Sequence, residues 1–210
     1  MMLLYRTGWA LSLLTARVFF RLRRYGHENI PKEGGFIIAS NHKSLADPPL
    51  VGSCIRRPVH FMAKRELFRN KIFGWLISQT NAHPIRRGAI DKSAIDMVEG
   101  LLSRNQGVVI FPEGTRARNV DFLDPKPGVG MIARKALVPV VPAYIHGSDK
   151  LSDVFWGREK MRVIFGEPLD KSEIIRYDDA KLGYRELTEE IMRRIKALKE
   201  ELLLRSGISQ

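Results

Sequence analysis

At 210 residues, 44% of them hydrophobic and 28% charged, the chain is long enough for one domain with a sizeable core and too apolar to stay disordered. A formal charge of +12, from 35 Lys and Arg against 23 Asp and Glu, leads to the expectation of an anionic partner: nucleic acid, anionic lipid or a phosphorylated substrate. The basic residues are scattered without zinc-finger spacing or an RRM-type aromatic cluster, which weighs against nucleic acid, and a single cysteine, Cys54, excludes an internal disulfide framework and a thiolate zinc cluster.

Residues 1–25 are apolar but are interrupted by Arg6, Arg17, Arg21, Arg23 and Arg24, so the longest charge-free run is too short to span a bilayer. On a helical period Leu4, Leu11, Val18 and Leu22 share one face, and Arg6, Arg17 and Arg24 fall within about 20° of each other on another. The pattern predicts a basic amphipathic helix that lies in the headgroup region of a membrane, with packing on the core as the alternative. Trp9, Phe19 and Phe20 favour the membrane. Arg17 cuts the apolar stretch and no clean cleavage site follows, so the segment does not read as a signal peptide.

After Gly34-Gly35 the elements alternate, and residues 26–210 read as a single domain. Phe36 to Ser40 is a buried strand, Asp47 to Ile55 a helix and Val59 to Ala63 a strand; Glu66 to Gln79 is helical, with an extended piece at Pro84-Ile85. A helix from Asp91 to Arg104, strands at Val108 to Phe111, Val138 to Ile145 and Met161 to Phe165, and a final helix with Leu187, Ile191, Ile195, Leu198 and Leu202 on one stripe complete the rhythm. The expected fold class is α/β, a mostly parallel or mixed central sheet flanked by helices and preceded by the amphipathic membrane helix.

Two strand ends carry the chemistry. Asn41-His42-Lys43-Ser44-Leu45-Ala46-Asp47 follows a buried strand, where α/β folds present reactive groups. A carboxylate folded back onto one imidazole nitrogen leaves the other free to take a proton, which makes His42 a general base and Asp47 its orienter. Asp47 serves equally well as a helix N-cap before Pro48-Pro49, so the pair alone is as readily structural as catalytic. No Gly-x-Ser-x-Gly elbow is present, so the nucleophile is expected to belong to the substrate. Cys54, in an apolar stretch with no adjacent base, reads as a buried small residue.

Phe111-Pro112-Glu113-Gly114-Thr115-Arg116 also follows a buried strand. Gly114 permits close backbone approach and Arg116 offers a planar fork to phosphate, against the alternative of a turn closed by a Glu113–Arg116 ion pair. Lys126-Pro127-Gly128 beyond it reads as a loop closing over a substrate or as a plain turn. The five histidines show no paired ligand spacing, so no metal is expected; a metallohydrolase using His42, Asp47 and Glu113 is the remote alternative.

NHKSLAD and FPEGTR, in this order, resemble the 1-acylglycerol-3-phosphate acyltransferase family. His83-Pro84-Ile85-Arg86-Arg87-Gly88 is similar to the family's arginine-bearing second block, although Asn81 and His83 depart from it and leave open which arginine faces inward. Val138-Pro139-Val140-Val141-Pro142 is similar to the fourth block and reads as strand and apolar wall. The resemblance runs from about Phe36 to Pro142. It implies transfer of a fatty acyl group from an acyl-CoA or acyl carrier protein thioester to the free hydroxyl of lysophosphatidic acid, giving phosphatidic acid, with no further cofactor. Carried over by position, His42 is the base and Asp47 its partner, Glu113, Gly114, Thr115 and Arg116 bind the acceptor's glycerol phosphate, and Arg87 and Lys64 add positive contacts. The implied setting is the cytoplasmic face of the cell membrane, peripheral or monotopic, with a lysophospholipid, an acyl thioester donor and an anionic membrane surface as partners; oligomeric state stays open.

The chemistry suits the parts. An alcohol needs its proton removed as the new bond forms, and an imidazole, with a reference pKa near ~6.5, is matched to that task. Two alternatives stand beside this reading: the same mechanism on glycerol-3-phosphate or another lysophospholipid, and a non-catalytic protein that binds anionic membranes.

Overall fold

A computed structural model of the chain describes residues 2–85 and 92–206. The helices are α1 (Met2–Val18), α2 (Asp47–Cys54), α3 (Lys71–Ser78), α4 (Lys92–Ser103), α5 (Gly128–Ala136), α6 (Leu151–Phe155), α7 (Lys171–Ile174) and α8 (Lys181–Ser206). The strands are β1 (Arg23–Tyr25), β2 (Phe36–Ser40), β3 (Val59–Lys64), β4 (Ala82–Ile85), β5 (Gly107–Ile110), β6 (Val140–His146) and β7 (Arg162–Phe165). They form one sheet in the order β1-β7-β6-β2-β5-β3-β4, parallel throughout except between β6 and β7. The expected α/β class with a mixed sheet between helices is what the chain adopts.

Central strands with both faces covered are largely apolar on both, and β2 is apolar from Phe36 to Ala39, with all five of its residues buried. Alternation sends Ile37 and Ala39 into a core shared with α4, α5 and α8, and Phe36 and Ile38 into a second core with α2 and the end of α1. The stripe Leu187, Ile191, Ile195, Leu198 and Leu202 lies entirely within the first core. Cys54 is buried in the second, and burial pushes its thiol up to about 12, which keeps it protonated and inert.

The structure corrects the N-terminal reading in one respect. The helix stops at Val18, so Leu22 and Arg24 do not extend its faces. Arg21 takes a left-handed conformation (φ 48°), Leu22 turns into the core, and Arg23 to Tyr25 pair in parallel with Arg162 to Ile164. A three-residue strand rich in arginine has no hydrophobic signal of its own; pairing with a distant strand decides it. Arg24 points back into the protein, where its Nη1 donates to the Cys54 carbonyl at 2.9 Å. The helix expected over 66–79 is likewise divided, into a 3₁₀ turn at Arg65–Phe68 and α3, because the Asn70 side chain accepts from Phe73 N–H at 3.0 Å and starts a new helix. Pro127-Gly128 opens α5 and is not a free loop.

Strands β3 and β4 are tied at one point by a side-chain bond, His60 Nδ1 to His83 Nε2 at 2.9 Å, with the rings stacked. Burial lowers both pKa values, and for His60 the His83 ring and Arg104 lower it further against a Gln106 hydrogen bond that raises it. The unfolded chain therefore takes up protons that the folded one refuses, so stability is retained above the unfolded value near ~6.5 and falls as the pH drops below it. A chemical-denaturation series from pH 8 to pH 5, set as a range of about three units, should show that fall, and it should be shallower in His83→Gln. In the main core, Ile191→Ala should cost about 2–5 kcal/mol, whereas Leu204→Ala on the exposed side of α8 should cost less than about 0.5 kcal/mol, both read from urea midpoints.

Candidate active site

The candidate site residues follow the carboxyl ends of parallel strands: residues 41–47 after β2, Lys64 at the end of β3, and residues 111–116 after β5. Because β2 is central, with β5 on one side and β6 on the other, the loop that leaves it can be held from both sides. Asn41 is fully buried and extends the ladder with its side chain: Oδ1 accepts from Ile145 N–H (2.8 Å) and Nδ2 donates to the Ile145 carbonyl (3.1 Å). On the other side, His42 N–H donates to Glu113 Oε1 (2.9 Å) and the His42 carbonyl accepts from Ala117 N–H (2.8 Å).

His42 Nδ1 lies 2.7 Å from Asp47 Oδ2. The same oxygen accepts from the backbone N–H groups of Lys43 (2.7 Å) and Ser44 (2.8 Å). Asp47 is 0% exposed and its carboxylate reaches back over the loop, with no bond forward to the amides of α2, so the N-cap alternative is not the one realised. One carboxylate oxygen thus closes the loop and fixes the ring. The ring stacks on Phe111, centroids 4.2 Å apart, and its Nε2 has no partner among the described residues.

His42 forms part of the wall of a cavity of about 460 Å³. Its polar side carries Lys64 and Arg116; its apolar side is built from Pro48 and Pro49 of α2, Phe61 of β3, and Phe73 and Leu76 of α3, with Trp9 of α1 at one flank. Gly52 of α2 is needed here, since a Cβ would stand 2.7 Å from the Phe61 ring. Lys64 makes only a loose, half-exposed ion pair with Glu66 (3.8 Å), which leaves its charge available to an anion. Arg116 has no partner among the described residues, so the Glu113–Arg116 ion pair considered for this turn does not form.

The remaining expected site residues sit differently. Glu113 is 1% exposed and both its oxygens are taken, Oε1 by His42 N–H and Oε2 by Leu123 N–H (2.7 Å), while burial raises its pKa against those bonds. Gly114 forms the turn (φ 68°), with Lys126 packed where a side chain would go; Thr115 is exposed and outside the cavity wall. Arg86 and Arg87 lie outside the described residues. The individual roles of Asn41 and Phe111, which the sequence shows only as members of the two motifs, and of Asp121 emerge only in the fold. Asp121 links Lys43 (3.0 Å), next to the histidine, with Lys199 of α8 (2.6 Å), and these two ammonium groups hold its carboxyl down at about 2. Nothing local announces these roles, because every partner is distant in sequence.

The acyltransferase family model matches residues 21–146. A 1-acyl-sn-glycerol-3-phosphate acyltransferase of Bacillus subtilis is 34% identical over 179 residues, 85% of this chain and 88% of that protein. The chain belongs to the 1-acyl-sn-glycerol-3-phosphate acyltransferase family. The crystal structure of a family member, PlsC of Thermotoga maritima, superposes with a TM-score of 0.64 at 28% identity, covering 89% of this chain and 79% of that one. A lyso-ornithine lipid O-acyltransferase of Pseudomonas aeruginosa is 34% identical over 110 residues, 52% of this chain and 41% of that protein. Membership in this family of enzymes sets aside the non-catalytic membrane binder.

Glu113 offers a direct test of how the two motifs are held together. Glu113→Gln presents an amide N–H₂ to one of two backbone donors, and a buried mismatch of this kind costs about 1–3 kcal/mol. A thermal-melt loss of that size together with a lowered turnover is the expected result; full stability and full activity would show that the clamp does not matter.

Proposed function

We propose that this acyltransferase moves a fatty acyl group from a thioester of coenzyme A or acyl carrier protein to the free hydroxyl of 1-acylglycerol-3-phosphate, forming phosphatidic acid. The observation that carries the reading is the His42 ring, fixed through Nδ1 by Asp47, in the wall of a largely apolar cavity whose charged groups are Lys64 and Arg116. An acceptor with a phosphate at one end and an acyl chain at the other matches that division.

In this mechanism the acceptor oxygen attacks the thioester carbonyl carbon as its proton passes to His42 Nε2. The tetrahedral intermediate collapses with cleavage of the carbon–sulfur bond, and the departing thiolate recovers the proton from the imidazolium that Asp47 stabilises. A new carbon–oxygen bond forms for the carbon–sulfur bond lost, and no acyl-enzyme is required. Lys64, Arg116 and Arg87 hold the phosphate so that only the glycerol hydroxyl reaches His42. Gly114 and Thr115 shape the turn that presents Arg116. Glu113 contributes by positioning the His42 backbone, since its oxygens are already engaged.

The setting is the cytoplasmic face of the cell membrane, held peripherally through α1. Leu11, Leu14 and Val18 of the helix, and Phe19 just beyond it, are exposed, while Trp9 and Ser12 bond inward to Ile55 and Pro49 carbonyls. Among the described residues no helix is long and apolar enough to cross a membrane, so contact with one leaflet is the mode that fits. A second acceptor, another lysolipid, is favoured as the alternative by the kinship with the lyso-ornithine lipid enzyme.

With lysophosphatidic acid and a labelled acyl thioester, the protein should make labelled phosphatidic acid, and His42→Ala should slow it by about 10²–10⁴-fold with the fold retained. An unchanged rate in that variant would remove His42 from the mechanism, and product only from a different lysolipid would select the alternative acceptor.

A further inference from the structure

Helix α3 is out of place on a protein bathed in water. Its eight residues, Lys71 to Ser78, include Ile72, Phe73, Trp75, Leu76 and Ile77, yet Gly74 is its one buried residue. Ile72 is 81% exposed and Trp75 59%. A helix apolar on all sides is ordinarily surrounded by other apolar matter.

Part of the explanation is internal. Phe73, Leu76 and Ile77 line the cavity that also contains His42. Gly74 lets the helix rest closely on the preceding turn, where a Cβ would come within 2.9 Å of Phe68 Cα. Neither constraint accounts for Ile72 and Trp75, which are outside the cavity wall. Two further observations say what covers them. Arg65, Arg69 and Lys71, all exposed, flank the start of the helix, no acidic residue falls within it, and the nearby Glu66 is already beside Lys64. Basic residues next to exposed aliphatic and aromatic ones suit the boundary between anionic headgroups and acyl chains. In addition, the cavity continues to α1, where Gly8, Trp9 and Ser12 line it and Leu11 and Leu14 are exposed. The apolar surface is therefore attached to the cavity itself.

We propose that α3 is a second lipid-contacting element, that Ile72 and Trp75 enter the acyl region of one leaflet, and that the acceptor lipid passes sideways from that leaflet between α3 and α1 to His42. This rests on the reading that the acceptor is a lysolipid taken up at a membrane through α1. The basic flank then meets headgroups while the acceptor's chain stays among apolar side chains along the whole route.

The test uses the full chain and two acceptors: a hexanoyl lysophosphatidic acid that stays monomeric in buffer, and a long-chain one embedded in phosphatidylcholine–phosphatidylglycerol vesicles. Ile72→Ser with Trp75→Ser should lower kcat/KM on the embedded acceptor by about tenfold or more, a floor below what losing two fully buried apolar side chains would give, and leave the monomeric acceptor within about twofold. In a protein whose Trp9 and Trp156 are replaced by Phe, the emission of Trp75 should be quenched by brominated acyl chains in the same vesicles. Equal loss on both acceptors would make α3 part of the catalytic fold only. Unchanged vesicle activity, absent quenching, or a concentration-dependent dimer abolished by the double variant would each overturn the proposal, the last by assigning the face to a second copy. If the wild type acylates neither acceptor, the functional reading falls, and the quenching of Trp75 still decides whether α3 meets lipid.

Discussion

A single buried oxygen, Asp47 Oδ2, organises the reactive end of the molecule. It receives the ring N–H side of His42 and the backbone N–H groups of Lys43 and Ser44, all within 2.8 Å, so the loop and the imidazole are fixed by the same atom. Placing a carboxylate at 0% exposure is costly unless its charge is met by donors, and these three meet it at Oδ2, while the buried Oδ1 has no partner among the described residues. The spacing between the two residues follows from this arrangement: four intervening residues are enough to turn the chain and present two successive amides to the oxygen that holds the ring. Any substitution that frees this oxygen loosens loop and ring together.

That loop would still drift as a unit were it not laced to its neighbours. Asn41 holds it to β6 and Glu113 holds it to the loop after β5, so the strand order β6-β2-β5 appears again one residue beyond the sheet as side-chain bonds. Glu113 reaches further, to Leu123, and Asp121 beside it connects Lys43 to α8. The placement of the His42 ring thus comes from groups outside the cavity wall.

Much of this was readable from sequence because it is local. The apolar runs at Phe36 to Ser40 and Val108 to Phe111 mark buried strands, and the residues directly after each build the candidate site, so the neighbourhood of His42, Asp47 and Arg116 could be placed from spacing and resemblance together. Long-range pairing was not readable. Arg23 to Tyr25 becomes a strand only because β7 lies beside it, and Glu113 becomes a clamp only because His42, 71 residues earlier, offers its amide. Asn41 and Ile145 are separated by 104 residues. Asn70 illustrates a smaller miss: it is a good N-cap, but the apolar residues on either side of it masked the break.

The short connection between α1 and β1 has a mechanical consequence. Only four residues separate the helix from the sheet, and both ends of that passage are sunk in the core through Ala16 and Leu22. On the proposed membrane reading α1 is a corner of the same packed body, so the height and tilt of the sheet over a lipid surface would be set when α1 settles, and His42 would be delivered to one depth.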